Sequence, residues 1–220
     1  MVTVCWSVKG GSGTTVVAAA LAVVQSRRAG SALLVDVAGD ALVALGSEGN
    51  ESGAGVRSWL CADPTVGTDA LAALEVRVGP ELSVLASGFG ASLPPSRERW
   101  ELLAAHLTGE SRPVVVDLGS SMFGETSGRS ALLAVARVSL LVIRPCYLAL
   151  RRAVHAPRPT GVVLIREEGR ALGVADVEAA LGVSVVAEVA FDPAIARAVD
   201  AGLLNSRLPR SLERSLRRAA

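Results

Sequence analysis

Short apolar runs, rich in β-branched residues, alternate along the chain with longer Ala- and Leu-rich stretches. That rhythm predicts a doubly wound, mostly parallel sheet with helices on both faces, because crossover helices bury both sides of every strand. Residues 2–8 read as the first strand and 14–28 as a helix closed by Gly30. Two fully apolar strands end in carboxylates, 32–35 at Asp36 and 114–116 at Asp117. Further strands are expected at 74–78, 82–86, 139–143, 161–165 and 183–186. Short helices are expected at 40–46 and 56–62, with longer ones from Ser96, as cap, to 107 and from the loop 120–128 to 135. Others follow at 147–154, at 174–181, and from Asp192 (cap) and Pro193 to Asp200. A basic terminal helix, about 207–218, completes the pattern, and residues 47–55 read as a loop. With no repeat and no linker, residues 1–220 are expected to form a single α/β domain.

Composition narrows the setting. Half of the residues are apolar, yet no apolar run reaches the roughly 18 residues of a membrane span. The first residues lack the basic region of a signal peptide. Cys5, Cys61 and Cys146 are scattered and odd in number, as expected of reduced thiols in a cytoplasmic protein. A net charge of +1 gives no global field for nucleic acid. Of the 22 basic residues, 21 are arginine, and the single lysine, Lys9, stands inside a Gly-rich segment.

That segment, Lys9-Gly10-Gly11-Ser12-Gly13-Thr14-Thr15, lies between the first strand and the first helix. Glycines there let backbone N–H groups converge on an anion, and the helix N-terminus adds partial positive charge. Gly10, Gly11, Ser12 and Gly13 would line a phosphate cradle. Thr15 stands where a hydroxyl reaches a magnesium ion. The lysine that follows the last glycine of a standard P-loop is here Thr14.

The segment resembles the deviant Walker A motif of the ParA/MinD family, K-G-G-x-G-K-[ST]. The resemblance continues in order through Leu33-Leu34-Val35-Asp36, through the Walker B-like Val114-Val115-Val116-Asp117, and to the end of the chain. Arg144-Pro145 to Leu150-Arg151, and Asp192 to Ala198, look like the CpaE/TadZ branch of pilus-locus and cell-pole positioning proteins. The resemblance implies a P-loop NTPase fold, ATP or ADP with Mg²⁺ as ligand, and a homodimer. It implies that Lys9 reaches the partner's phosphates in trans and that residues 9–15 cradle the nucleotide. It also implies that Asp36 lies near metal and water, and that Thr15 and, through water, Asp117 hold the metal. A simpler role for either aspartate is to cap the turn that follows its strand.

Three departures point away from turnover. Thr14 removes the charge that offsets phosphate repulsion in the transition state. Ala38 stands where the family has a second carboxylate; Asp40, nearby, aligns better with the start of the next helix. Ile165 stands at the strand end where an Asn reads the adenine edge, and Leu118-Gly119-Ser120 replaces a proline-rich turn. The expectation is therefore a positioning or assembly protein, a nucleotide-binding or pseudo-ATPase dimer working with a pilus, secretion or cell-pole machine. The alternatives are an ATP-hydrolysing monomer–dimer switch and a DNA-partitioning factor; the near-neutral charge disfavours DNA.

Other candidates are weaker. His106 and His155 fit a helix surface and a helix end. Gly88-Phe89-Gly90 and Gly119-Ser120-Ser121 lack the setting of a nucleophile elbow. In the tail, Leu208, Leu212 and Leu216 share one stripe beside Arg207, Arg210, Arg214, Arg217 and Arg218. The narrow stripe without aromatics favours packing inside the molecule over peripheral membrane contact.

Overall fold

The computed structural model describes residues 1–47, 53–88, 94–120 and 128–219. Its elements are β1 (Val2–Ser7), α1 (Thr14–Ala29), β2 (Ala32–Asp36), α2 (Ala41–Leu45) and α3 (Val56–Leu60). A 3₁₀ helix (Thr68–Leu74) precedes β3 (Glu75–Arg77), β4 (Leu82–Leu85), α4 (Arg97–Thr108), β5 (Val114–Ser120) and α5 (Ser130–Val135). Then come β6 (Val138–Ile143), α6 (Tyr147–Ala153), β7 (Gly161–Arg166) and α7 (Val174–Leu181). β8 (Val185–Ala190), α8 (Pro193–Asp200) and α9 (Arg210–Leu216) end the order.

The strands form one eight-stranded sheet in the order β3-β4-β2-β5-β1-β6-β7-β8. Only β3 runs antiparallel. β1 is buried along its whole length, and its neighbours β5 and β6 lead to opposite halves of the sheet. The chain thus switches direction at the carboxyl end of β1, where doubly wound sheets open a crevice. One face of the sheet carries α1, α2, α8 and α9 over a core that includes Leu21, Leu34 and Val142. The other carries α3 to α7 over Trp6, Trp59 and Leu103. α1 is buried on nearly every side because α2 and α9 pack on it, so it carries Ala and Val without a polar stripe.

Local signals work as expected at two helix starts. Ser96 Oγ accepts from the Arg99 N–H at 3.3 Å, and the Asp192 carboxylate from the Ala194 N–H at 2.7 Å, with Pro193 leading α8. Elsewhere the structure corrects the expectation. The last strand is 185–190, not 183–186. It is an edge strand that buries Ala187 and Val189 while exposing Glu188 and Ala190, an alternation that hides it from a search for apolar runs. β5 continues past Asp117 to Ser120, carrying one extra residue opposite β1, with Gly119 at φ +66°. The 3₁₀ helix was not expected at all.

The tail helix covers Arg210–Leu216, a shorter stretch than the 207–218 expected. Leu204, Leu208, Leu212 and Leu216 are buried in the α1-side core, and the Arg28 guanidinium donates to the Arg217 carbonyl at 2.9 Å. The leucine stripe that membrane contact would need is therefore inside the molecule. Residues 48–52 and 121–127, the greater part of two expected loops, lie outside the described residues, as do Phe89, Gly90 and Ser121. No described helix is long and apolar enough to cross a membrane.

Candidate functional site

Parallel strands bring their carboxyl ends to one edge, and there the sequence-singled residues meet. The loop from Val8 to Gly13 turns β1 into α1 with Gly11 at φ +74° and Gly13 at φ +83°, a region that residues with a Cβ rarely adopt. Ser7 Oγ and Ser12 Oγ both donate to the Lys9 carbonyl, at 3.1 and 2.7 Å, closing the turn from inside. The Arg144 guanidinium donates to the Gly11 carbonyl at 3.1 Å and pairs with Glu167, so the outer rim is tied to β6 and β7. Lys9, Gly10 and Gly11 are exposed, whereas Ser12 and Thr14 are buried. The lone lysine thus has its backbone held and its side chain facing solvent. A cavity of about 400 Å³ opens over Gly10 to Thr15. Ala38, Asp40, Arg57, Gly119 and Arg129 form its far side.

Asp36 and Asp117 sit directly across from one another in the β2–β5 register. Asp36, 1 % exposed, accepts the Gly39 N–H at 2.6 Å and the Ala41 N–H at 3.0 Å, one on each oxygen. It caps the turn into α2, the simpler of its two expected roles. Burial raises its pKa; the backbone donors partly oppose this, and Asp40 adds to it. Asp117 is wholly buried, and its Oδ1 accepts the Gly119 N–H at 3.0 Å. Its Oδ2 has no hydrogen-bond partner. Burial pushes its pKa up to about 6, the adjacent Thr15 hydroxyl lowers it, and Asp36 and Asp40 raise it. Opposite it in β1, the buried Cys5 thiol has its pKa pushed far up by burial and by Asp117, as befits an inert core thiol.

Two oxygen donors, the Thr15 hydroxyl and the unpartnered Asp117 Oδ2, suit a hard cation such as Mg²⁺. Among the described residues no group of three or more His, Cys, Asp or Glu side chains is arranged to hold a metal ion by itself. An ion here would therefore draw its other ligands from water and phosphate, as magnesium does in nucleotide sites.

On the other side of the loop lies a second, apolar cavity of about 250 Å³. Gly13, Val16, Ile165, Val189, Phe191 and Ile195 are among its walls, and Leu212 of α9 contributes to it. Ile165 lies against Gly13 in a wall that is mostly apolar, with Ser12, Arg144, Asp192 and Asp200 as its polar members. The Arg144 guanidinium sits 5.2 Å from the centre of the Phe191 ring, which is itself largely exposed.

The structure places residues 9–15, Asp36 and Asp117 at one edge of the sheet. It also adds Arg57 and Arg129, which the sequence did not single out, and gives Asp40 a place in the site. Asp40 occupies the cap position of α2 without using its side chain as a cap, and faces the first cavity. Arg57 and Arg129 face the same cavity from α3 and from the start of α5. No local pattern marks either arginine, since tertiary packing alone brings them opposite the loop.

No protein-family model and no curated sequence matches the chain. Solved structures do resemble it. A ParA family ATPase from Chlorobium tepidum superposes with a TM-score of 0.79 at 18% identity, over 98% of this chain and 95% of that one. The MinD cell division protein of Aquifex aeolicus gives 0.78 at 18% identity, over 98% and 92%. An ATP complex of McdA from Cyanothece gives 0.76 at 16% identity, over 99% and 95%. The chain has the fold of the ParA/MinD P-loop ATPases, over nearly its full length.

Proposed function

We propose that this chain is a ParA/MinD-like positioning or assembly protein of the CpaE/TadZ type, binding ATP or ADP with Mg²⁺ and hydrolysing it weakly or not at all. The carrying observation is the glycine cradle beside a buried Asp117 whose Oδ2 lacks a partner, with Thr14 and Ala38 where charge for turnover would stand. Gly10 to Thr15 hold the phosphates by backbone N–H groups, and the apolar cavity takes the base through Ile165, Val189 and Phe191. Thr15 and, through water, Asp117 hold the metal, which would neutralise phosphate charge. Asp36 keeps the 38–40 turn beside them. Lys9, exposed on the rim, reaches the phosphates of a second copy in a homodimer. The Mg-ADP complex of Pyrococcus horikoshii MinD and the Aquifex MinC:MinD complex support a nucleotide ligand and a protein partner in a positioning system.

The test is titration of ATP–Mg²⁺ by calorimetry with mass followed by light scattering and phosphate release measured in parallel. Binding with dimer formation and little phosphate release is expected; no heat at millimolar nucleotide defeats the proposal. A second reading, the hydrolysing monomer–dimer switch, draws on Asp40, whose carboxylate faces the cavity two residues beyond Ala38. Ready phosphate release that is lost in Asp40→Asn would select it.

A further inference from the structure

The first cavity poses a charge problem. Its loop side offers neutral Thr14 where P-loops carry a lysine, and its opposite side carries Asp40 with the buried Asp36 and Asp117 behind. A triphosphate entering such a pocket meets carboxylates and needs cations from elsewhere. Among the described residues that line the cavity, the only cations are Arg57 and Arg129.

Both are held by framework outside the loop. The Arg57 N–H donates to the Ser87 carbonyl at 3.0 Å, and the preceding Val56 N–H to the Ala86 carbonyl at 2.8 Å, so α3 starts from the end of β4. Trp59, one turn section on, is buried, and Arg99 stacks 3.7 Å from its ring centre while donating to its carbonyl at 2.6 Å. α3 is thereby pinned to α4 despite having only five residues. Arg129 follows Gly128, where a Cβ would come within 2.1 Å of the Trp100 indole. Only glycine lets the chain pass that close, and the passage sets Arg129 at the mouth of α5.

From this placement we infer that Arg57 and Arg129 form a two-arginine clamp that binds the terminal phosphates in place of the missing loop lysine. Guanidinium groups suit this task because their fork of donors matches phosphate oxygens. The pair is poised for an anion: burial lowers the pKa of Arg129, and so does repulsion from Arg57. A bound phosphate relieves that repulsion. The inference rests on the nucleotide-binding reading above, which it deepens by assigning the phosphate-length preference to residues far from the loop.

Calorimetry with AMP, ADP, ATP and inorganic tripolyphosphate, on the unaltered protein and on Arg57→Ala, Arg129→Ala and the double variant, decides it. Unaltered protein should prefer ATP to AMP. Each single variant should weaken ATP and tripolyphosphate roughly tenfold, as loss of a charge-assisted hydrogen bond implies, and the double variant more, while AMP is unchanged. Arg129→Lys should recover part of the loss. Thermal melting of each variant separates lost phosphate binding from lost stability, since a folding defect lowers Tm and weakens AMP binding as well. ATP binding within twofold of the unaltered protein in the double variant overturns the clamp and leaves the nucleotide proposal standing. Tripolyphosphate binding without ATP binding, lost in the double variant, keeps the clamp and overturns the nucleotide proposal. Binding of neither ligand overturns both.

Discussion

Asp36 and Asp117 end adjacent parallel strands in exact register, both buried, yet the fold treats their charges differently. Asp36 has a backbone N–H on each oxygen. Asp117 has one backbone donor, a nearby threonine hydroxyl and an Oδ2 without a hydrogen-bond partner. The first carboxylate holds a turn together. The second carries an unrelieved electrostatic cost, the kind of local cost that concentrates where a ligand is to be received. Sequence position cannot separate the two, since each simply closes an apolar strand. Only the donors around each oxygen do so.

The largest effect that would break this contrast comes from Asp117→Asn. The folded pKa of about 6 lies above the unfolded value. The protonated form is therefore favoured by folding: its stabilisation is full below about pH 4 and lost as pH rises through about 6. Removing the charge should raise stability at pH 7.5 by up to about 3 kcal/mol. It should also flatten the fall in stability between about pH 4 and 6. Urea unfolding across that range measures both. Magnesium-dependent nucleotide binding should weaken in the same variant, stability rising as function falls. Equal stability of variant and parent at pH 7.5 would place the charge cost elsewhere.

Asp36→Asn should act in the opposite direction. An amide replaces one acceptor by a donor, leaving the Gly39 or the buried Ala41 N–H facing another N–H group. The loss of stability should be about 1–3 kcal/mol, the cost of an unsatisfied buried group, offset in part by relief of the buried charge. A denaturation series at pH 7.5 would show the sign. If both asparagine variants stabilise, the two carboxylates are alike and the capping role of Asp36 is wrong.

What the sequence carried, and what it did not, follows the same division between local and tertiary causes. β1, β2 and β5 were legible because central parallel strands are buried on both faces and read as unbroken Val/Leu runs, Val114-Val115-Val116 above all. The loop at residues 9–15 was legible because its glycines answer to backbone geometry, at Gly11 and Gly13 in particular. β8 was misplaced because an edge strand exposes one face, so the apolar run that ends at Val186 crosses only its beginning. Arg57 and Arg129 were illegible. Each is one arginine among 21, and what sets them over the cavity is the Arg99–Trp59 stack and the Gly128–Trp100 approach, neither visible as a pattern. Asp40 was visible but aligned with the start of the next helix; it does stand at that helix start, with its side chain making no cap hydrogen bond.

The smallest change tests how much of the contrast depends on a single hydroxyl. Thr15 is the strongest influence holding the Asp117 pKa down. Thr15→Val keeps the shape and removes the hydroxyl, so the Asp117 pKa should rise further and the protein should lose stability only where Asp117 is ionised. The difference from the parent should be below about 1 kcal/mol at pH 7.5 and vanish near pH 4, a pattern that packing defects do not produce. Combining it with Asp117→Asn completes the argument, because a hydroxyl that acts through the carboxylate has nothing left to act on. In that background the pH-dependent part of the Thr15→Val effect should disappear, and a remainder equal at both pH values would assign Thr15 a packing role independent of Asp117.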